Sequence, residues 1–399
     1  MIVKPMTCIM PRPEDMEKVA SLPYDVYSRA EARAIVRKNP EAYLSIERPD
    51  ANFDDETDSY ADCVYEKAAA LLQSRVASGA YRIIDEAAYY LYRQEKGDHV
   101  QTGIVAKCAL ADYLNGTIKK HELTREDKEA DRVRNIIETG AQTGVLFLAF
   151  RNDSAVCDII DRNLDQAPLV TFTAADGVRQ SVYQVAKSDE AALEAAFAAM
   201  DALYIADGHH RARAAATVYE RKLAGELPFG EEADYVLAAI FPERDLAIMD
   251  YNRVVRDLNG LTTSQFLAAL STKGALTPWD GVYKPDAKGH FGVYLEGRWY
   301  KLSLKPAADA DVVRSLDCAV LQEKVLSPIL GIGNPRTDKR IDFIGGIRGL
   351  KEIERRCGAD MVVGFAVFPT AMAELFAVAD ENLLMPPKST WFEPKLQSG

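Results

Sequence analysis

The stretch LYIADGHHRARAAA, residues 203–216, sets Asp207, Gly208, His209, His210 and Arg211 in an unbroken row between an apolar run and an alanine-rich segment. A strand that passes through Asp-Gly straight into a helix leaves the first-turn N–H groups without intrahelical partners, at the end where the helix dipole is positive. An anion there meets backbone donors, an imidazole and a guanidinium, which is chemistry suited to phosphate. The expected turn uses Asp207 as the capping carboxylate and Gly208 as the residue free to take positive φ. The plain alternative is that Asp207 only caps the helix while His209 and His210 fill a polar edge.

A second polar cluster, KKHELTRED at 119–127, places Lys120, His121 and Glu122 just before another predicted helix. A carboxylate in that position suits a general base or a magnesium ligand, and the lysines suit phosphate neutralisation; a solvated charged loop is the alternative. His121 and Arg132 are further candidates for phosphate or nucleotide binding, although the stretch DKEADRVR around Arg132 also admits ion pairs at helical spacing, the pattern of a solvated face. Two further basic stretches stand later in the chain. NPRTDKRIDFIGGIRG (334–349) carries Arg340 and Arg348 around Gly345-Gly346 as a possible anion nest, without the spacing of a P-loop or dinucleotide fold. PPKSTWFEPK (386–395) carries Lys388 and Lys395, as a site-lining segment or a packed tail.

These side chains need a scaffold, and the totals bound it. With 399 residues, 48% of them apolar, the chain can bury a large core and make two or three domains. The net charge of −12 gives no general attraction to nucleic acid or an anionic bilayer, so neither partner is expected. Six cysteines without a CxxC pair read as reduced packing residues. The first 20 residues hold no signal-peptide core, and no apolar run is long enough to span a membrane, so a cytoplasmic location is expected.

Along the chain, a Ser28-capped helix halts at Asn39-Pro40 and is followed by a predicted strand ending at Pro49. A helix over 57–77 precedes a predicted meander of YRIIDE, AYYLYRQEK and TGIVAKCAL. A helix over 124–139 opens on the capping-box pattern TRED, GVLFLAF reads as a buried strand, and the 188–200 helix leads into the Asp-Gly junction. Beyond 230, DYVLAAIF and LAIMDYNRVV read as neighbouring strands, FGVYLEGRWYKLSL as a hairpin and 309–329 as a long helix. The fold class is α+β, divided as an N-terminal region (1–104), a phosphate-binding core (105–230) and a C-terminal region (231–399).

The blocks LPYDVYSRAEAR, HELTREDKEADR, ADGHHR, RIDFIGG and MPPKSTWFEPKLQSG, in that order and spacing, resemble the bacterial family catalogued as domain of unknown function 1015, over essentially the whole chain. More remotely, HE before a helix with Asp-Gly-x-His-Arg downstream resembles the ParB/sulfiredoxin superfamily over about 105–225. Its members include free-serine kinases, which phosphorylate the hydroxyl of L-serine. The resemblance implies a ParB/sulfiredoxin-like mixed α/β core with β-rich flanks. It implies Glu122 as the carboxylate that deprotonates serine, and Asp207, Gly208, His209, His210 and Arg211 as the phosphate-binding and transfer motif. ADP or ATP as co-substrate, magnesium, and serine or phosphoserine as substrate follow from it. A phosphoserine phosphatase or other phosphohydrolase and a non-catalytic nucleotide-binding protein stand as alternatives, and a homo-oligomer is possible.

Overall fold

The computed structural model describes residues 1–399. Contacts divide the chain into two compact units, one of residues 1–246 with 394–399 and one of residues 247–393. Both mix helices and sheets, the α+β class expected. Residues 104 and 230, at the expected boundaries, both lie within the first unit, and 104 sits inside one of its sheet strands.

The strands of the first unit are β1 (Val3–Lys4), β2 (Met6–Pro11), β3 (Tyr81–Ala88), β4 (Tyr90–Lys96), β5 (His99–Ala109), β6 (Ile118–Lys119), β7 (Leu146–Phe150), β8 (Val170–Thr173), β9 (Arg179–Gln184), β10 (Leu203–Asp207) and β11 (Tyr235–Pro242). Nine form one sheet in the order β6-β10-β7-β11-β5-β4-β9-β8, with β1 beside β5. β10 runs parallel to β6, and β11 to β7. The helices are α1 (Met16–Val19), α2 (Arg29–Lys38), α3 (Leu44–Glu47), α4 (Asp62–Ala77), α5 (Leu110–Leu114), α6 (Glu126–Thr139), α7 (Ser154–Asn163), α8 (Glu190–Ala199) and α9 (His209–Leu223).

Composition explains the centre of this sheet. Every residue of β7, LFLAF, is buried, as are the first four of β10, so neither strand has a face to offer water. Ala212, Ala214, Ala215 and Ala216 of α9 are fully buried in the same core, where their small side chains permit close packing.

Several elements differ from expectation. The segment read as a strand before Pro49 is α3, because all four of its residues are buried and alternation separates no faces. YRIIDE pairs with β2 instead of completing a meander, leaving its charged side chains on an exposed two-stranded ribbon, while β4 and β5 do form the hairpin through Gly97-Asp98. The helix at 124–139 starts at Glu126 with Arg125 as its N-cap, and no side chain caps it because a guanidinium has no acceptor to offer the first-turn amides.

The second unit has β12 (Ala247–Met249), β13 (Tyr251–Val255), β14 (Ala275–Trp279), β15 (His290–Leu295), β16 (Arg298–Ser303), β17 (Ile341–Gly345), β18 (Val363–Val367) and β19 (Trp391–Glu393). Six form a sheet ordered β14-β16-β15-β18-β13-β17, and β12 pairs with β19. DYVLAAIF and LAIMDYNRVV do not pair in one sheet: β11 belongs to the first unit, β12 and β13 to the second. The helices are α10 (Thr263–Ser271), α11 (Asp317–Leu321), α12 (Lys351–Cys357) and α13 (Met372–Asp380). The long helix expected at 309–329 shortens to α11 followed by one π-helical turn, Gln322–Leu326. No helix of the chain is long and apolar enough to cross a membrane.

Candidate active site

The parallel pairing of β6 and β10 decides where the two polar clusters go. Leu203 lies opposite Ile118 and Tyr204 opposite Lys119, so both strands release their chains at the same edge of the sheet. Lys120, His121 and Glu122 leave β6 there, and Asp207 and Gly208 leave β10. The carboxyl ends of parallel strands are where open α/β sheets commonly place ligands.

Gly208 makes the turn at φ +95°, a conformation L side chains rarely adopt, and it is the N-cap of α9. No side chain caps this helix. The expected cap, Asp207, is otherwise engaged: Oδ1 accepts from the Gly208 N–H at 3.0 Å and Oδ2 from Lys395 Nζ at 3.1 Å. Burial opposes ionisation of Asp207, but Lys395 and Arg211 outweigh it and hold the carboxyl well below the usual carboxylate range. The first turn thus begins with a fixed negative group behind it and open amides ahead.

Two histidines of α9 fasten the HELTR loop to this turn. The His121 N–H donates to His209 Nε2 at 3.4 Å, and the Arg125 N–H to His210 Nε2 at 3.0 Å. The rings of His121 and His209 meet edge to face, 4.5 Å between centroids. His121 is 1% exposed, and neither of its ring nitrogens makes a hydrogen bond of normal geometry. Burial pushes its pKa down to about 4 and that of His209 well below the usual value, with Asp207 opposing in both. Both rings are neutral at pH 7. With Nε2 accepting, the proton of His209 and of His210 sits on Nδ1. Half-buried Glu122 lies in the loop between the two fastenings.

Arg211 is buried beneath the turn and donates to the Val145 carbonyl. The expected phosphate role of Arg132 meets a different setting from the solvated face read in the sequence. Arg132 is buried, gives two hydrogen bonds to Asp131 and one to the Glu47 carbonyl, and lies 4.1 Å over the Tyr24 ring. Three of its five N–H donors are committed to the protein. Lys120 is exposed, 5.5 Å over the Tyr113 ring. α6 is tied to α9 by Thr217, which donates to Glu129 at 2.8 Å.

Of the remaining candidates only Lys395 joins the first unit. Arg340, Arg348 and Lys388 belong to the second. There Arg340 is held by Asp338, Asp257 and the carbonyls of Leu330 and Gly331, Arg348 is exposed, and Lys388 lies 5.8 Å over the Tyr251 ring. The Gly345-Gly346 pair forms no nest: the Gly346 N–H donates to the Asp250 carbonyl at 2.7 Å.

Sequence reasoning missed Glu47, Tyr24 and Asp25. Asp25 contributes to the electrostatics of both His210 and Arg211, and it stands in LPYDVYSR, a block already conspicuous for its polar turn. Glu47 gave no signal, being one acid inside a short mixed segment. No group of three or more His, Cys, Asp or Glu side chains converges as a metal site. These residues therefore form no dedicated all-protein cage for magnesium. A cavity of about 570 Å³, walled by Met6, Met10, Tyr81, Tyr90, Tyr92 and Phe172, lies in the same unit.

The family profile described as "Protein of unknown function (DUF1015)" matches residues 3–319. The chain belongs to this DUF1015 family. Solved structures similar to this DUF1015 protein include a free serine kinase in complex with AMP, at TM-score 0.33 and 12% identity, covering 73% of this chain and 86% of that one. A conserved hypothetical protein from Pyrococcus furiosus aligns at TM-score 0.34 and 13% identity, covering 74% and 92%. SbnI with a C-terminal truncation, from Staphylococcus aureus, aligns at TM-score 0.38 and 12% identity, covering 73% and 84%. No curated protein matches the chain.

Proposed function

We propose that this DUF1015 protein is a cytoplasmic phosphotransferase that moves a phosphate from a nucleotide, or from pyrophosphate, to the hydroxyl of free L-serine. The observation that carries the reading is the double fastening of the Glu122 loop to the first turn of α9 by His209 and His210. It supports a carboxylate base and an anion-binding turn acting on one substrate pair.

Phosphoryl transfer needs positioning, charge neutralisation and a base on the acceptor, with little covalent work for the protein. In the proposed step the serine hydroxyl proton passes to Glu122 as its oxygen attacks the transferred phosphorus. The bond to the leaving phosphate oxygen breaks, and that oxygen keeps the electron pair. The open N–H groups of the first turn and Arg211 face the phosphate oxygens. His209 and His210 each use Nε2 as an acceptor within the fold, which favours direct transfer over a phosphohistidine formed at those atoms. Asp207, paired with Lys395, sets the start of the turn instead of acting on substrate.

Parallel incubations test the reading. Purified protein receives L-serine and magnesium with ATP, ADP or pyrophosphate in one series, and O-phosphoserine alone in another. Formation of O-phosphoserine in the first series supports the transferase; phosphate release confined to the second replaces it with a phosphatase acting through the same anion site.

A further inference from the structure

Glu47 ends α3 at 1% exposure, yet neither carboxylate oxygen makes a hydrogen bond of normal geometry. A buried, unsatisfied carboxylate needs a physical reason. Its surroundings are built on every side. Arg211 faces it from α9, Arg132 from α6, Asp25 from the 22–27 segment, Ser398 from the closing segment, and Tyr43 stands one turn earlier. Gly144 closes the wall, where a Cβ would lie 2.7 Å from Glu47 Oε1 and 3.0 Å from Arg211 Cδ. Between these groups is a void of about 20 Å³ lined by Glu47, Arg132, Thr143, Gly144 and Arg211, room for one water among polar partners.

The two arginines are not equivalent. Arg132 spends its hydrogen bonds on Asp131 and on the Glu47 carbonyl. Arg211 belongs to the first turn of α9, the proposed anion site, and packs against the same glycine as Glu47. We propose that Glu47 is a positioning residue that couples proton binding to anion binding at that turn, acting through Arg211 with one water in the intervening void. This rests on the reading of the turn as a phosphate site.

Ionised Glu47 holds Arg211 inward and offsets its charge; protonated Glu47 leaves the guanidinium to an anion. Anion binding therefore draws a proton onto Glu47. Burial pushes this carboxyl up to about 7, against Arg211 and Arg132, so both forms are populated near neutrality. Burial holds His121, His209 and His210 below the usual histidine value, which separates them from that range.

Sulfate is the probe, because its charge does not change between pH 6 and 8. Calorimetry on the full chain, at pH 7 in two buffers of different ionisation heat, should show net proton uptake on sulfate binding. Affinity should fall about tenfold from pH 6 to pH 8, the equivalent of one pKa unit of coupling. Glu47→Gln should remove both the uptake and the pH dependence. Carbon NMR of labelled glutamate in the wild type gives a reading independent of the variant's folding, with one carboxyl expected to titrate near 7. Unchanged pH dependence in Glu47→Gln, or a Glu47 carboxyl titrating at the ordinary value, would overturn the role of Glu47 alone. A wild type that binds no sulfate would overturn the anion site, and this coupling with it.

Discussion

Lys395 reaches Oδ2 of Asp207 at 3.1 Å across 188 residues of sequence. The contact fixes the closing segment to the last residue of β10, while the neighbouring Gln94 donates to the Lys395 carbonyl at 2.9 Å. The side chains of Lys395 and Asp207 are 15% and 30% exposed, shielded enough for the pair to matter. Lys395→Met strands the carboxylate, with an expected loss of roughly 1–3 kcal/mol in denaturant unfolding. Adding Asp207→Asn should recover part of that loss, because the neutral amide tolerates the missing partner. An additive double variant would show that the pair is uncoupled.

Gly208→Ala tests the turn. At φ +95° an alanine pays roughly 1–2 kcal/mol in backbone strain, and its Cβ would sit 3.3 Å from Leu146 Cδ1. Stability should fall by about that much, and anion affinity should fall further because the first-turn amides are re-aimed. Wild-type sulfate affinity in this variant would remove the turn from the site.

Glu122→Gln preserves size and removes the base. Turnover should drop by on the order of 10²-fold or more, while nucleotide binding measured by calorimetry stays within a few-fold of wild type. Equal losses in both would make Glu122 a binding residue.

Acid stability has a definite sign. His121 and His209 have folded pKa values depressed below the unfolded histidine value, so the unfolded chain binds more protons as pH falls through that window. Stability should therefore be lost between about pH 6.5 and pH 4. Glu47 acts oppositely: its raised folded pKa means that stability declines as pH rises from about 4.5 to about 7. Unfolding curves of wild type, His121→Asn and Glu47→Gln across pH 4–8 separate the two, since each variant should flatten only its own limb.

Much of the site was legible because its chemistry is contiguous. ADGHHR combines a strand end, a turn residue, two histidines and an arginine in one row, and HELTR sets a histidine, a carboxylate and an arginine just before α6. The parallel pairing that joins them was not legible, since β6 has only two residues and leaves no periodicity to read. Glu47 was hidden for a related reason: LSIE is too short to show a helical period, and the arginines that face Glu47 come from helices more than 80 residues later. Arg132 illustrates the opposite error, where a charge-rich helix suggested a wet face but one arginine turns inward onto Tyr24 and Asp131.

The most direct test of the account is a crystal soaked with ADP, magnesium and L-serine. Phosphate oxygens are expected on the first-turn N–H groups of α9 and beside Arg211, with the serine hydroxyl within hydrogen-bond distance of Glu122. Phosphate bound elsewhere, or serine remote from Glu122, would contradict it.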